Sequence, residues 1–247
     1  MGKQISIVIA TWNAAKTLVN CLNSIIPQLN EECELVVIDG GSKDSTNEII
    51  ASYGEKVSFT ISEKDKGIYD AWNKGIKVSR GQWILFIGAD DRLADDAIAN
   101  YLNFIKTINP DTDFISSKID YVDEWGNTLA FTGKLWNYNR CRINMDVTHV
   151  ASLTNKNYFN RVGMFNTDYK IVGDYELLMR GGKEMKPAFM DKVVATMAIG
   201  GASFSTKGLK EQFRVKRNVA HMPWILCSII YCAQIFLFYT YKLRHRK

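Results

Sequence analysis

The chain has 247 residues, of which 47% are hydrophobic and 23% charged, and it carries a formal net charge of +5. These ordinary values exclude disorder, collagen and a coiled coil as descriptions of the whole chain, and the length predicts one domain with additions. The five cysteines form no CxxC pair, which argues against a disulfide framework or a structural zinc site and favours a reducing compartment. A cleaved secretory signal is not expected, because the first residues lead directly into an apolar strand.

The N-terminal part of the chain alternates short apolar runs with segments of helical spacing. Strands are predicted at residues 6–10, 35–39, 57–61 and 83–87, and helices at residues 14–27, 44–53 and 68–79. Continuous apolar strands that alternate with helices indicate a parallel sheet covered on both faces. Because ligand sites of such sheets lie at the carboxyl ends of the strands, we expect the loops that follow these strands to form a site.

Beyond residue 110 the pattern becomes mixed. Strands are predicted at residues 114–119, 129–132 and 193–199, and helices at residues 94–107, 155–162 and 173–184. The clearest boundary is a change of charge near residue 205. We therefore predict a catalytic-type domain over residues 1–204, followed by a basic, apolar, membrane-associating tail over residues 205–247.

The tail has an unusual charge distribution. It contains nine basic residues and one acid, so that it carries +8 while the rest of the chain carries −3. Residues 223–241 are 19 residues without a formal charge, which as a helix would measure about 28 Å, close to the thickness of a bilayer core. Cations on both flanks favour peripheral or monotopic attachment to an anionic membrane surface over a span. A core helix or a homodimer helix is the third interpretation, and nucleic-acid binding is not expected.

The two common nucleotide-binding motifs are absent from the sequence. No GxGxxG follows the first strand and no GxxxxGK[ST] occurs, which excludes a classical dehydrogenase and a P-loop enzyme. Carboxylates remain at strand and loop ends, namely Asp39, Asp65, Asp90, Asp91 and Asp174. An acidic pair directly after a strand, without a Cys/His cluster, suits a hard cation such as Mg²⁺ or Mn²⁺ bound together with phosphates.

Four segments in order resemble the family-2 glycosyltransferases. They are SIVIATWNAAKTLVNCLNSI, ELVVIDGGSKDST, SEKDKGIYDAWNKGIKVSRGQWILFIGADD, and THVASLTNKNYFNRVGMFN followed by VGDYELLMR. The resemblance covers about residues 5–200 and leaves the tail outside. It implies a GT-A fold, a Rossmann-like and mostly parallel sheet with helices on both faces, which transfers a sugar from a nucleotide-sugar donor with inversion.

The resemblance also implies roles for individual residues. The positions that match the donor site are Thr11, Asn13, Asp39, Ser42, Asp65 and Asn73. Asp90 and Asp91 match the end of the DXD-type motif, although Gly88 replaces its first aspartate; Asp91 would hold the metal ion, with Asp90 on the ribose or the metal. Asp174 matches the catalytic base, with Gly173 replacing the glutamate that usually precedes it. His149 matches a histidine near the acceptor or the metal.

The charged residues and the histidine also have a structural interpretation. Asp39 can be a helix-capping or turn aspartate, Asp65 a solvated loop charge, the pair Asp90 and Asp91 a cap for the helix that follows, and His149 a structural histidine. Asp174 can be an acid of the first helical turn, stabilised by the helix dipole.

The function expected from the resemblance is an inverting hexosyltransferase of surface-polysaccharide synthesis. It would use a UDP-sugar, Mn²⁺ or Mg²⁺ and a lipid-linked saccharide acceptor at the cytoplasmic face of the inner membrane. The alternatives are a catalytically inactive membrane scaffold of a polysaccharide assembly complex and another GT-A nucleotide-sugar enzyme, one that transfers a nucleotidyl group or hydrolyses the donor.

Overall fold

A computed structural model describes residues 2–122, 128–198 and 205–244. Its N-terminal part is a series of βα units, made of β1 Ile5–Thr11, α1 Leu18–Ile25, β2 Cys33–Asp39, α2 Thr46–Ser52, β3 Phe59–Ser62, α3 Ile68–Val78 and β4 Trp83–Gly88. All the strands and helices predicted here are present. Their ends differ from the prediction by a few residues, because apolar periodicity marks the centre of an element better than its termini.

The register of the first four strands gathers their carboxyl ends at one edge. β1 pairs in parallel with β2 and β4, and β2 pairs in parallel with β3. Thr11 lies beside Asp39, and Asp39 lies beside Ser62. Side chains alternate across a strand, so that Ile7 contributes to the core on one face of the sheet and Val8 to the core on the other. Both faces are therefore covered, as predicted for this part of the chain.

The middle of the chain extends the sheet with mixed pairing. Its elements are β5 Arg92–Leu93, α4 Ala97–Ile105, β6 Phe114–Val122, β7 Thr128–Thr132, α5 Tyr138–Cys141, β8 Leu153–Asn155, α6 Lys156–Val162, α7 Gly173–Gly181 and β9 Pro187–Ala198. Within the described residues the strand order is β3-β2-β1-β4-β8-β6-β9-β5, with β7 on β6. β8 runs antiparallel to β4 and to β6, whereas β6 and β9 are parallel. β5, β8 and α5 are too short to have a readable period and were not predicted; residue 199, the predicted end of the last strand, lies outside the described residues.

Two helices close the described chain, α8 Thr206–Asn218 and α9 Trp224–Arg244. Val215 of α8 is fully buried in the same core as Tyr175 and Leu178 of α7. α9 packs against α8, with the rings of Phe213 and Tyr231 5.8 Å apart. The helical tail thus packs on the domain through α8, whereas the domain boundary at residue 205 stays a prediction.

Candidate active site

Loops at the carboxyl edge of β1, β2 and β3 line a solvent-open pocket of about 500 Å³. It is lined by Ala10, Thr11, Trp12, Gly40, Lys64, Asp65, Gly67 and Ile68. Thr11 and Asp65 were predicted as donor-site residues, and both reach this pocket. Trp12 and Lys64 were not predicted, although Trp12 stands between two predicted residues. The Trp12 side chain is 69% exposed, and a large aromatic ring left in solvent beside a pocket is typical of a binding platform.

Asp39 is the centre of the hydrogen-bond network beneath this pocket. Its carboxylate accepts from the Thr11 hydroxyl at 3.0 Å, from the Ser42 amide and hydroxyl at 2.9 and 2.5 Å, and from the Ser62 hydroxyl at 2.6 Å. Burial acts to raise the pKa of Asp39, but the hydrogen bonds from Ser42, Ser62 and Thr11 outweigh it and hold the pKa below its ordinary value. The side chain is fully buried. Asp39 therefore fastens the loops that follow β1, β2 and β3 to one another.

This network predicts a stability effect for Asp39→Ala. Loss of the carboxylate leaves the Thr11, Ser42 and Ser62 hydroxyls without their acceptor, and we expect the free energy of unfolding to fall by about 3 kcal/mol. Because the folded-state pKa is lowered, the contribution is present above about pH 4, the ordinary pKa of an aspartate, and is lost as the pH falls further. Urea titrations at neutral and acidic pH measure this. Ser62→Ala, which removes one donor, is the smaller-effect control, and equal midpoints for Asp39→Ala and wild type at neutral pH would contradict the network.

The two predicted asparagines both engage the backbone. Asn13 has a left-handed φ of 50°. Its backbone amide donates to the Ser42 hydroxyl, and its side-chain oxygen accepts from the Lys43 backbone amide at 2.8 Å. It joins the loop after β1 to the turn after β2. Asn73 pairs with both backbone groups of Phe165, with each hydrogen bond at 2.9 Å. Asn13 thus follows the pocket-lining Trp12 without lining the pocket itself, whereas the side chain of Asn73 holds the loop after α6.

The acidic pair follows β4 directly. Asp90 is exposed, whereas Asp91 is only 6% exposed and accepts from the Gly88 amide at 3.2 Å. Burial and the charge of Asp90 raise the pKa of Asp91 to about 7. A Cβ on Gly88 would lie 2.7 Å from Asp90 Oδ1 and 2.9 Å from Asp91 Oδ2. Both carboxylates therefore converge on the space that Gly88 leaves open.

This pair fits a divalent cation. Two adjacent carboxylates, one of them buried, repel each other, and a hard cation relieves that repulsion. In the residues that the structure describes, no third Asp, Glu, His or Cys joins them. The remaining ligands would come from the phosphates of a bound nucleotide. The capping interpretation is wrong, because β5 intervenes and α4 begins only after Asp96.

Asp174 is the second residue of α7. The Tyr69 hydroxyl lies 3.1 Å from Asp174 Oδ1 and 2.8 Å from the Ile171 carbonyl oxygen. Tyr69 follows the pocket-lining Ile68 in the chain, so its hydroxyl ties Asp174 to the helix that begins at the pocket. A Cβ on Gly173 would lie 2.8 Å from the Tyr69 ring. The close approach of this ring to α7 explains the glycine at the position where the family usually has glutamate.

Two other polar side chains near α7 are buried. Glu176 forms an ion pair with Arg180 at 2.9 Å and points away from Asp174, as its place on the helix predicted. His149 lies in an aromatic layer, with ring centroids 5.3 Å from Trp72 and 5.4 Å from Phe86. Burial lowers the pKa of His149, and its ring nitrogens have no hydrogen-bond partner among the described residues. His149 is thus buried in the core among aromatic rings, and its role in substrate binding stays a prediction.

The sequence model of Glycosyl transferase family 2 matches residues 6–168. That span contains each predicted donor and metal residue and ends shortly before Asp174. A PGL/p-HBAD biosynthesis glycosyltransferase of Mycobacterium bovis is 31% identical over 206 residues, which are 80% of this chain and 78% of the relative. The chain belongs to glycosyltransferase family 2. The resemblance seen in the four sequence segments is confirmed, and the protein is a glycosyltransferase of glycan biosynthesis.

Solved structures share the fold of this glycosyltransferase. Staphylococcus aureus TarS in complex with UDP-GlcNAc superposes with a TM-score of 0.68 at 18% identity, over 94% of this chain and 71% of TarS residues 1–349. The mannosyltransferase PcManGT of Pyrobaculum calidifontis, in complex with GDP-Man and Mn²⁺, superposes with a TM-score of 0.64 at 15% identity, over 99% of this chain and 76% of that one. The predicted GT-A fold is confirmed.

Proposed function

We propose that this enzyme transfers a hexose from a UDP-sugar to a lipid-linked saccharide acceptor, with inversion at the anomeric carbon, in the synthesis of a surface polysaccharide. One observation carries the proposal. The pocket lies at the carboxyl ends of β1 to β3, the acidic pair follows β4, the parallel neighbour of β1, and the Tyr69 hydroxyl, from the helix that begins at the pocket, reaches Asp174. In the proposed reaction these three places would serve the nucleotide, the metal-bound diphosphate and the acceptor hydroxyl.

The pocket has chemistry for a nucleoside diphosphate. The exposed Trp12 ring offers a face on which a nucleobase can stack, and Lys64 supplies a positive charge on the pocket wall. The complexes of TarS with UDP and with UDP-GlcNAc support uridine as the base. Purified protein with Mn²⁺, tested against UDP-glucose, UDP-galactose, UDP-GlcNAc and GDP-mannose, examines this directly. Turnover of a UDP-sugar is expected, and turnover of GDP-mannose alone would contradict the proposed donor.

The proposed reaction is a single displacement. The carboxylate of Asp174 accepts the proton of the acceptor hydroxyl as that oxygen attacks the anomeric carbon from the face opposite the diphosphate. Asp91 and Asp90 would hold Mn²⁺ or Mg²⁺, which neutralises the departing diphosphate when bound. Tyr69 orients the Asp174 carboxylate, and Asp39 keeps the loops of the donor pocket together.

The tail supports a location at the membrane surface. Within α9, the 20 residues Trp224–Leu243 would be enough to cross a bilayer, judged by length and composition alone. α9 nevertheless packs along α8, where the Lys216 ammonium lies 3.4 Å from the Gln234 side-chain oxygen. α8 is charged and docked on the domain, so α9 would have to leave it to span a membrane. We therefore infer that α9 lies in the interface at the cytoplasmic face of the inner membrane, close to the lipid-linked acceptor; a homodimer through α9 stays a prediction.

The outer face of α9 predicts which substitutions release the protein from membranes. Ile229 and Phe236 on this face are 61% and 68% exposed, so Ile229→Glu with Phe236→Glu should leave the fold intact. The loss of two large apolar side chains from lipid contact should weaken the partitioning of the protein onto vesicles by about 100-fold. Sedimentation with phosphatidylglycerol-containing vesicles measures this partitioning. The matched control is Leu129→Glu with Phe131→Glu on the exposed strand β7. Unchanged vesicle binding of the α9 variant would contradict interfacial attachment.

The orientation of α9 needs a separate measurement. A cysteine added after Lys247, in a protein with Cys232→Ser, should react with a membrane-impermeant thiol reagent only in lysed cells. Labelling in intact cells would establish that α9 spans the membrane.

A further inference from the structure

The only acid of the tail, Glu211, lies on α8, and among the residues that the structure describes its carboxylate binds backbone amides. Its carboxylate accepts hydrogen bonds from three consecutive amides, those of Lys170 at 2.9 and 3.1 Å, Ile171 at 2.9 Å and Val172 at 3.1 Å. These residues lead directly into α7, whose second residue is Asp174. One carboxylate of the tail therefore holds the segment that carries the proposed base.

The same segment is held from its other side by the pocket. The Lys170 ammonium donates to the Lys66 carbonyl at 2.9 Å and to the Thr167 carbonyl at 2.6 Å. The Tyr69 hydroxyl lies 2.8 Å from the Ile171 carbonyl oxygen. Residues 170–172 thus form a strap between the pocket loop and α8.

The strap is anchored where the chain enters α7. The amides at the start of a helix lack intrahelical partners and are usually satisfied by a nearby side-chain oxygen. Val172 precedes α7 and has no such oxygen, and in the part of the chain that the structure describes α7 has no side-chain N-cap of its own. Glu211 accepts from the amide of Val172, the N-cap position, and from the two amides before it, so it anchors the chain that enters α7. One turn further along α8, the Arg214 guanidinium lies 4.7 Å above the Tyr169 ring. Two contacts therefore tie α8 to the approach to α7.

We propose that Glu211 is a positioning residue that sets the place of Asp174, so that the helical tail completes the active site in addition to attaching the enzyme to a membrane. This inference rests on the proposed role of Asp174 as the base. A general base must come within hydrogen-bond reach of the proton it removes. A displacement near 1 Å can lower the rate by about 10²-fold, and without Glu211 three consecutive amides of the strap lose their acceptor.

The test compares Glu211→Gln, Glu211→Asp and Lys210→Gln in the full-length protein. Glutamine keeps the size of the side chain but presents an NH₂ group to the backbone donors, whereas aspartate keeps the carboxylate. Lys210 is the control position, because it is an exposed neighbour on α8. We expect Glu211→Gln to lower kcat by about 10- to 100-fold with the Kd for UDP unchanged, and to speed amide exchange at residues 170–172. Glu211→Asp should recover part of the rate, and Lys210→Gln should match wild type. kcat is measured as UDP release from the three UDP-sugars with bacterial lipid extract as acceptor.

A second background shows whether Glu211 acts through Asp174. In Asp174→Asn protein, the added Glu211→Gln substitution should cause no further loss of rate. An equal loss in both backgrounds, or wild-type turnover of Glu211→Gln beside a slow Asp174→Asn protein, would overturn this inference alone. Wild-type turnover of Asp174→Asn would refute the base assignment and this inference together.

Discussion

Asp91→Ala is expected to lower sugar transfer by at least about 10³-fold, the loss expected when a metal ion no longer stabilises the leaving diphosphate. The fold should survive, because among the described residues the Asp91 carboxylate receives one hydrogen bond, from the Gly88 amide. The alanine protein should also lose the Mn²⁺-dependent part of UDP binding, since Asp91 and Asp90 are the proposed protein ligands. Isothermal titration of UDP with and without Mn²⁺, together with turnover at several Mn²⁺ concentrations, measures both effects.

The matched control is Asp95→Ala, which removes an exposed carboxylate between β5 and α4. It should keep the turnover and the Mn²⁺ dependence of the wild type. If Asp91→Ala turned over at the wild-type rate in the presence of EDTA, the metal proposal would be wrong. Asp90→Ala should have a weaker effect than Asp91→Ala, because Asp90 is exposed and can bind the ribose instead of the metal ion.

Asp174→Asn is expected to lower kcat by about 10²- to 10⁴-fold, the usual contribution of positioned proton transfer. An amide keeps the size of the side chain and can still accept from the Tyr69 hydroxyl, so the fold and the Kd for UDP should be retained. Asp168→Asn is the control, because that carboxylate is exposed in the preceding loop. UDP release and UDP binding measured on the same samples separate chemistry from affinity.

Two other outcomes for Asp174→Asn would change its assignment. Parallel losses of UDP affinity and of rate would place Asp174 in the nucleotide site. Full complementation of polysaccharide synthesis in cells by Asp174→Asn would favour the inactive scaffold over the transferase proposed here, since a scaffold does not need a base.

The parallel half of the sheet could be predicted because its signals are local and strong. β1, β2 and β4 each contain a continuous apolar run, β3 is a weaker one, and the helices between them repeat apolar residues at a spacing of three and four. The mixed half was less readable. β8 has three residues, yet it pairs antiparallel with both β4 and β6 and so decides how the two halves join. An element this short has no period, and only its partners specify it.

The site divides in a similar way. The order of the motifs pointed to Thr11, Asp39 and Ser42 as one group, and the parallel register does bring them into contact. The sequence did not indicate that Asp39 would be fully buried as a hub, nor that His149 would lie among aromatic rings. A residue type shows what a group can do, but burial depends on neighbours that are distant in the chain.

The sequence by itself therefore determined the family, the βα order of the N-terminal part and the acidic pair after β4, since each is written in contiguous residues. Only the tertiary structure decided that Gly173 makes room for Tyr69 and that Glu211 holds the approach to Asp174. Tyr69 and Asp174 are 105 positions apart, and Glu211 and Ile171 are 40 apart. Contacts of this kind leave no periodicity or motif in the chain, because they arise from the packing of α3, α7 and α8 against one another.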